Sequence, residues 1–429
     1  MDIGKIIENF ESREQPKLDK MYEYYRGKHK ITGTIKPKGK PNNKLVANYA
    51  KNIVNNTVGF YLGKPVSYTT DDTELQEQIA KITKYNDDAF HNTMIGKDLS
   101  IYGRAAEILY LDEDENIRYS KLDPRYLKFK LSNDVEKKLE YVVRWYDVID
   151  ETTGNVTRYA EAYFDDVIKY YESSNGSSFK FKNKKEHFFG QIPVNIYENN
   201  EDGVGDFDDD VISLIDAYNT VTSENVNDYV KFANALLAIK GMIPDETTKK
   251  DMRDNNILQL IGDGTAQWLT KQTNDADVVN IAARIERDIY MSSQTVNMSD
   301  ENFANSDSGI SMAYKLMCMG NRISGTEHFF KKGLLRRFEL ICHLLNLKGA
   351  NYDYTSIGVT FSRNLPKNLL EIADVIERLS GTVSLQTLLA QIPFVENPQE
   401  ELERVEREQK KYPSIFSVPT KTTYTAESE

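Results

Sequence analysis

The chain has 429 residues, of which 40% are hydrophobic and 28% charged, so it can bury substantial cores in about two to four domains. No apolar run approaches the roughly 20 residues that span a bilayer, and the amphipathic N-terminus lacks the apolar core of a signal peptide, which predicts a cytosol-like compartment. The formal net charge of −12 argues against tight wrapping of nucleic-acid phosphates, which requires clustered Lys and Arg.

The first hundred residues are predicted to be mainly helical. A helix runs to about Arg26, a second covers 45–62 and ends at Gly63-Lys-Pro65, and a third helical stretch covers 73–100. Between the first two lies a basic, Pro- and Gly-rich stretch, 35–44. Its simplest interpretation is a solvated, flexible loop; the alternative is an electrostatic contact with DNA or an acidic neighbour.

From Ala105 the apolar pattern changes to period two, which predicts strands separated by turn sequences. The predicted strands are 105–111, 127–131, 141–148, 158–164, 167–172 and 179–182. We expect one antiparallel, meander-like sheet. Strands grouped between runs of helix predict an α+β fold.

A glycine- and acid-rich segment, 203–210, precedes a long predicted helix that covers 211–237. The acids Asp206, Asp208, Asp209 and Asp210 crowd at its start. They form either a metal cluster or, the preferred interpretation, favourable charge at a helix N-terminus. A small mixed module follows, with strands at 238–243, 257–261 and 266–270 and a short helix at 245–253.

Two more helices are predicted from apolar residues at helical spacing, the first over 275–296 and the second over 310–347. The second would be roughly 55 Å long. Between them lies a polar segment, 297–309. Its flanking helices set its position, Met298 and Phe303 can contact a groove, and Ser306-Asp-Ser-Gly309 caps the next helix. It is therefore either an ordinary connector or a functional loop.

The C-terminal part predicts a strand at 357–361, two or three amphipathic helices between Asn368 and Lys411, and a mobile tail from Pro413. The two cysteines, Cys318 and Cys342, both fall on the long helix, too far apart for a disulfide, and are expected to be buried thiols.

The sequence carries no motif of a known catalytic or metal chemistry. There is no phosphate-binding loop, no G-x-S-x-G, no H-E-x-x-H and no pair of His or Cys at metal-ligand spacing. The abundant carboxylates leave a two-metal nuclease open by inventory alone, although their spacing does not favour one.

Taken in order, several segments make the chain resemble the portal protein of long-tailed, double-stranded DNA bacteriophages. These segments are 24–31 (YYRGKHKI), 40–54 (KPNNKLVANYAKNIV), 59–66 (GFYLGKPV), 211–218 (VISLIDAY), 308–310 (SGI) and 363–368 (RNLPKN). The resemblance covers nearly the whole chain and implies a portal fold with wing, two-helix stem, small α/β clip, long spine helix and helical crown. The open alternatives are another capsid or tail-assembly structural protein and, less favoured, a metal-dependent nuclease.

The resemblance implies a region for each predicted element. The wing would comprise 1–210 and 310–365, the stem helices 211–237 and 275–296, the clip 238–274, the tunnel loop 297–309, the crown 366–411 and a mobile tail 412–429.

The resemblance also implies function. Identical copies, twelve in the family's usual ring, would form a channel at one capsid vertex for DNA packaging, retention and ejection and for head–tail attachment. Implied partners are double-stranded DNA bound without sequence specificity, the packaging motor (terminase), a head-completion adaptor, and major capsid and scaffolding proteins, with no membrane. The protein would reside in the virion, after assembly in the host cytoplasm. No catalytic residue, cofactor or metal is implied.

Two sets of site residues follow from the resemblance. The DNA-contacting tunnel loop would comprise Asn297, Met298, Ser299, Asp300, Glu301, Asn302, Phe303, Ala304, Asn305, Ser306, Asp307 and Ser308. The clip would contact motor and adaptor through Asp245, Lys249, Lys250, Arg253, Gln267 and Trp268.

Overall fold

A computed structural model describes residues 1–38, 40–232, 236–240, 245–247, 250, 265–269, 275–297, 309–363, 369–392, 394–395 and 398–411. These residues group into two compact units, the first drawn from Met1–Asp300 and Lys315–Asn364 and the second from Glu301–Tyr314 and Leu365–Glu429. Helices combine with antiparallel strand pairs, in agreement with the α+β prediction. Within the described part of the chain, no helix has both the length and the apolar character needed to cross a membrane.

The N-terminal helices are shorter than predicted because the chain breaks at two positions. Five helices are present: α1 (Ile3–Arg13), α2 (Gln15–Tyr25), α3 (Tyr49–Tyr61), α4 (Thr73–Tyr85) and α5 (Asp88–Tyr102). Pro16 sits in the first turn of α2, where a missing N–H costs nothing. Asp87 separates α4 from α5 with a left-handed backbone, φ +48°. The helix predicted over 45–62 begins only at Tyr49, since residues 45–48 are not helical.

The strands form two sheets where one was predicted. A five-stranded meander runs in chain order through β4 (Leu127–Leu131), β5 (Leu139–Ile149), β6 (Val156–Tyr163), β7 (Val167–Ser173) and β8 (Lys180–Glu186). A separate three-stranded sheet places β2 (Arg104–Leu111) between β3 (Ile117–Leu122) and β9 (Val194–Glu198). The strand β1 (Ser67–Thr69) pairs with β12 (Gly358–Thr360), so two distant segments are joined.

The single-sheet prediction is wrong because it missed β3 and β9. Once the meander ends, the chain returns and β9 pairs with the free edge of β2. A hydrophobic cluster forms where residues of both sheets meet, including Ala106 and Val194 from the smaller sheet and Leu127, Val142 and Tyr163 from the larger.

The remaining elements follow the predicted order with shifted ends. They are α6 (Asp209–Phe232), β10 (Leu236–Lys240), β11 (Thr265–Leu269), α7 (Asp275–Ser292), the long helix α8 (Gly309–Leu347), α9 (Leu369–Leu379), α10 (Leu385–Leu389) and α11 (Pro398–Lys411). Leu236 and Leu237, predicted to be helical, belong to a strand that pairs antiparallel with β11. The long helix agrees with its predicted limits to within one residue.

The long helix is part of the core of the first unit. Phe330, Leu334 and Phe338 are buried on one face, and the Phe338 ring packs edge-on against Tyr68 at 4.9 Å. Gly333 permits this close packing, because a Cβ there would lie 2.2 Å from the Tyr197 ring. The helix is thus held against both β1 and the three-stranded sheet.

Candidate functional site

The predicted tunnel loop lies almost entirely outside the described residues. Asn297 is described, and its side-chain amide donates a hydrogen bond to Glu286 Oε1 at 3.2 Å, back on α7. The other eleven predicted loop residues, 298–308, fall outside the described part of the chain. The structure therefore locates the two ends of the segment and leaves its contacts as a prediction.

The N-terminal end of this segment is anchored by the way α7 terminates. Gln294 adopts a left-handed backbone, φ +49°, its N–H donates to Met291 O at 3.1 Å, and the next N–H, of Thr295, donates to Tyr290 O at 3.0 Å. This pair of bonds is a Schellman motif, which satisfies the last carbonyls of a helix. It ends α7 at Ser292, earlier than the predicted 296. No glycine marks the position, so residue type alone did not reveal it.

The predicted clip contacts are only partly described. Gln267 and Trp268 lie on β11, opposite Ala238 and Leu237 of β10 in the strand register. Asp245 and Lys250 are exposed, and Lys250 is helical. Lys249, Arg253 and the predicted strand at 257–261 lie outside the described residues.

A ladder of polar side chains on α6 holds the segment that follows the basic stretch. Asn219, Ser223 and Asn227 are buried at four-residue spacing along one face of the helix. Their oxygens accept hydrogen bonds from three backbone N–H groups, those of Ala47 at 2.8 Å, Leu45 at 2.9 Å and Asn43 at 2.7 Å. We call this the α6 ladder.

The spacing of the α6 ladder has a simple geometric cause. Four residues of helix rise about 6 Å, and two residues of extended chain rise roughly 6.6 Å. Every second amide of the extended segment therefore meets a side chain one helical turn further along α6. The stretch KPNNKLVAN, which sequence reasoning recognised as a motif without assigning it a role, thus contributes its backbone amides to this contact.

The same ladder corrects the flexible-loop interpretation of the basic stretch. Lys36 forms an ion pair with Glu224 of α6 at 2.6 Å, and Lys44 donates to the carbonyl of Thr32 at 2.7 Å. The described residues of the stretch are thus tied down at both ends. The acidic neighbour that sequence reasoning allowed for is a helix of the same chain.

A buried histidine extends the ladder toward α2. His29 Nδ1 lies 2.8 Å from the side-chain amide of Asn219, and its Nε2 lies 3.0 Å from the carbonyl of Tyr24. Burial lowers the pKa of His29, so a neutral ring that accepts at Nδ1 and donates at Nε2 fits both contacts. The Tyr24 hydroxyl donates to Asp216 at 2.8 Å, and burial together with that carboxylate raises the pKa of Tyr24 to about 12.

The acids that precede α6 divide into two roles. Asp206 is buried and accepts hydrogen bonds from Arg322 of the long helix at 2.5 Å, from Asn199 at 3.1 Å and from Ser100. The other three match the preferred prediction of charge at a helix N-terminus: Asp208 accepts from the amide of Asp210, and Asp209 and Asp210 occupy the first turn. The prediction is therefore wrong for Asp206, whose buried carboxylate joins α5, β9 and the long helix.

A second charged cluster lies deeper in the same unit. Arg337 of the long helix is 1% exposed and donates to both oxygens of Glu107, at 2.9 and 2.8 Å, and to Asp88 at 2.7 Å. His91 lies 2.7 Å from Glu107, and the Tyr197 hydroxyl donates to the same carboxylate at 2.7 Å. We call this the Arg337 cluster. Its members come from distant parts of the sequence, and no local pattern indicated them.

The cysteine prediction is confirmed for one residue only. Cys342 is buried, and burial raises the pKa of its thiol to about 11. Cys318 is exposed, because it lies on a part of the long helix where neighbouring side chains such as Tyr314 and Met317 also face outward. Among the described residues, no group of three or more His, Cys, Asp or Glu side chains is arranged to hold a metal ion.

Comparison with known proteins agrees with the motif-based resemblance. A sequence model of the family described as "Phage portal protein, SPP1 Gp6-like" matches residues 4–413. The portal protein of Bacillus phage SPP1 is 25% identical over 396 residues, which cover 87% of this chain and 77% of the relative. The portal protein of Clostridium phage phiCD119 is 21% identical over 393 residues, which cover 86% of this chain and 85% of the relative. Since the family match spans nearly the whole length, this chain belongs to the phage portal protein family of the SPP1 Gp6-like type.

Proposed function

We propose that the chain is the subunit of a closed ring, a dodecamer, that forms the DNA channel at one capsid vertex and serves packaging, retention, ejection and head–tail attachment. The observation that carries the proposal is a set of large apolar side chains left open on α6 and α7. Tyr229 is 77% exposed, Val279 62%, Ile281 50% and Met291 69%. A neighbouring copy in a ring would cover such side chains, and closed rings of identical copies use one pair of complementary surfaces throughout.

The regional assignment is part of the proposal. The α6–α7 pair serves as the stem, and β10 with β11 begins and ends the clip, whose residues Asp245, Lys249, Lys250, Arg253, Gln267 and Trp268 meet the motor and later the adaptor. The two sheets with α1 to α5 and most of the long helix serve as the wing. The helices α9 to α11 serve as the crown, which faces the capsid interior.

The segment Asn297–Ser308 serves as the tunnel loop in this proposal. Support comes from its N-terminal anchor, the Schellman motif at Gln294, and from the long helix that begins at Gly309. A polar loop of amides and hydroxyls touches phosphates weakly and without base readout, as sliding requires. A net charge of −12 keeps the channel wall from holding the duplex.

The other proposed partners are those that a protein at this capsid vertex would meet. Terminase and a head-completion adaptor bind at the clip in turn, and the major capsid and scaffolding proteins surround the ring during assembly. We assign no chemistry to the chain itself, and ATP hydrolysis belongs to the separate motor.

The experiment has two stages. Mass photometry of the purified protein should show a ring of about 590 kDa, the mass of twelve 49.2 kDa chains. Deletion of Asn302–Ser306 should leave that mass unchanged and abolish DNA packaging or retention. Replacement of Thr152 and Thr153 by alanine, in the exposed β5–β6 turn, is the control and should change neither.

A protein that stays monomeric at every concentration would contradict the ring. Normal packaging by the loop deletion would show that the tunnel-loop assignment is wrong and would leave the ring standing.

A further inference from the structure

A groove along one face of the long helix is basic, although the chain as a whole is acidic. It has a volume of about 430 Å³ and is lined by side chains that include His328, Lys331, Lys332, Leu335, Arg336 and Tyr354. Arg336 is neutralised by Glu339 at 2.8 Å. No carboxylate pairs with Lys331 or Lys332 in the described part of the chain. The groove therefore presents two unmatched positive charges beside the apolar surfaces of Leu335 and Tyr354.

A surface of opposite charge on the same chain is the β2–β3 turn, Asp112–Glu115. It is the only run of four consecutive acids in the sequence. Its conformation is held by Asp112, whose Oδ1 accepts from the amides of Asp114 at 3.1 Å and Asn116 at 2.8 Å, while Oδ2 accepts from the Tyr85 hydroxyl at 3.0 Å. Glu113 and Asp114 are exposed at its tip. We call this the acidic turn.

The acidic turn cannot reach the groove of its own chain. Glu115 pairs with Lys348 at 3.1 Å, just beyond the C-terminal end of the long helix. Lys332 lies 16 residues earlier, roughly 24 Å along the helix axis. A rigid turn fixed at one end of the helix leaves the groove open to another molecule.

We propose that the acidic turn of one copy binds in the basic groove on the long helix of the neighbouring copy. This contact rests on the proposed ring. A cyclic ring needs two different, complementary surfaces on each subunit, and a basic groove and an acidic turn at separate ends of one helix meet that need. A second copy fits better than a nucleic-acid strand, because Glu339 and Leu335 also line the groove and neither suits a phosphate.

Charge reversal on each side, and on both sides together, tests the contact. K331E/K332E should raise the protein concentration at which half the chains are in rings by about tenfold at low salt, and E113K/D114K should do the same, with both effects shrinking as salt rises. The four changes combined should restore assembly to near the wild-type concentration, because the pairs then meet with exchanged signs. The readout is mass photometry across a salt series.

The matched control is K184E/K185E, which reverses two adjacent exposed lysines on β8 that lie outside the groove. It should assemble like the wild type. The contact would be overturned if the wild type forms rings and neither charge reversal changes the concentration needed for assembly. It would also be overturned if the combined variant assembles no better than either double variant. Both outcomes would leave the ring proposal intact. If wild-type rings never form, the ring proposal fails and the contact with it.

Nucleic acid as the occupant is a separate outcome. If K331E/K332E lowers the affinity for a short DNA duplex while ring formation is unchanged, the groove binds DNA and the proposal is wrong.

Discussion

At the residue scale, the Arg337 cluster shows how charged side chains can be buried when each one forms ion pairs and hydrogen bonds with the others. Glu107 is 0% exposed, and its carboxylate accepts from Arg337, Tyr197 and Asn195. Burial opposes ionisation of Glu107, but Arg337 and His91 outweigh it and hold its pKa below the ordinary value. Removing the Glu107 charge would leave the buried Arg337 guanidinium with Asp88 as its remaining carboxylate partner, and the loss of one charge from a buried ionic network is costly.

We expect Glu107→Gln to lower the free energy of unfolding by about 3–5 kcal/mol at pH 7. Because the folded pKa of Glu107 is depressed, its stabilisation is present above its ordinary pKa of 4.5 and is lost as pH falls below that value. The difference in unfolding free energy between wild type and variant should therefore become smaller at acid pH. Urea denaturation from pH 3 to pH 7, at one fixed protein concentration, measures it.

Glu8→Gln provides the comparison for this prediction, since Glu8 is exposed on α1. Its effect should stay within about 0.5 kcal/mol. If the difference in unfolding free energy does not change with pH, the charge of Glu107 does not stabilise the cluster.

At the element scale, the periodicity of apolar residues located helices but did not predict where they end or which segments they contact. The spacing of apolar residues located the long helix because 39 consecutive residues repeat one pattern. It missed the break at Asp87 and the Schellman end of α7, where single residues take up left-handed backbone conformations. The α6 ladder was also missed, since its polar residues look like ordinary solvated positions in a one-dimensional pattern.

The α6 ladder predicts how much the unfolding free energy falls when one of its hydrogen bonds is removed. Ser223→Ala removes the acceptor of the Leu45 N–H and leaves a partly buried donor unpaired, which should cost about 1–3 kcal/mol of unfolding free energy. Ser213→Ala, on an exposed face of the same helix, removes a hydroxyl that bonds only within α6 and should cost less than about 0.5 kcal/mol. Equal losses in thermal or urea unfolding would show that the ladder does not stabilise the contact between α6 and residues 43–47.

At the scale of the whole molecule, the exposed apolar side chains of α6 and α7 make the proposed assembly testable. A carboxylate introduced at a position that a neighbouring copy would cover must be desolvated when the copies assemble. In the isolated chain it stays in water, so folding is not affected. The consequences of such a change therefore separate folding from ring formation.

Ile281→Glu should leave the circular dichroism spectrum unchanged and raise the concentration needed for ring assembly at least tenfold, equivalent to about 1.4 kcal/mol per contact. Val135→Glu, at a fully exposed loop position, should have no effect on either readout. Sedimentation velocity across a concentration series measures the assembly. Rings that form normally from the Ile281 variant would show that this face of α7 is not an interface.

The family, the α+β class and the limits of the long helix could all be predicted from the amino-acid sequence. These depend on local periodicity, turn residues and a linear series of motifs, all of which can be read along the chain. The division into two sheets, the pairing of β2 with β9, the α6 ladder and the Arg337 cluster became visible only in three dimensions. Arg337 meets Glu107 across 230 positions, and Asn219 meets Ala47 across 172. A local pattern reports which face of an element is apolar and carries no information about which distant polar group will meet it.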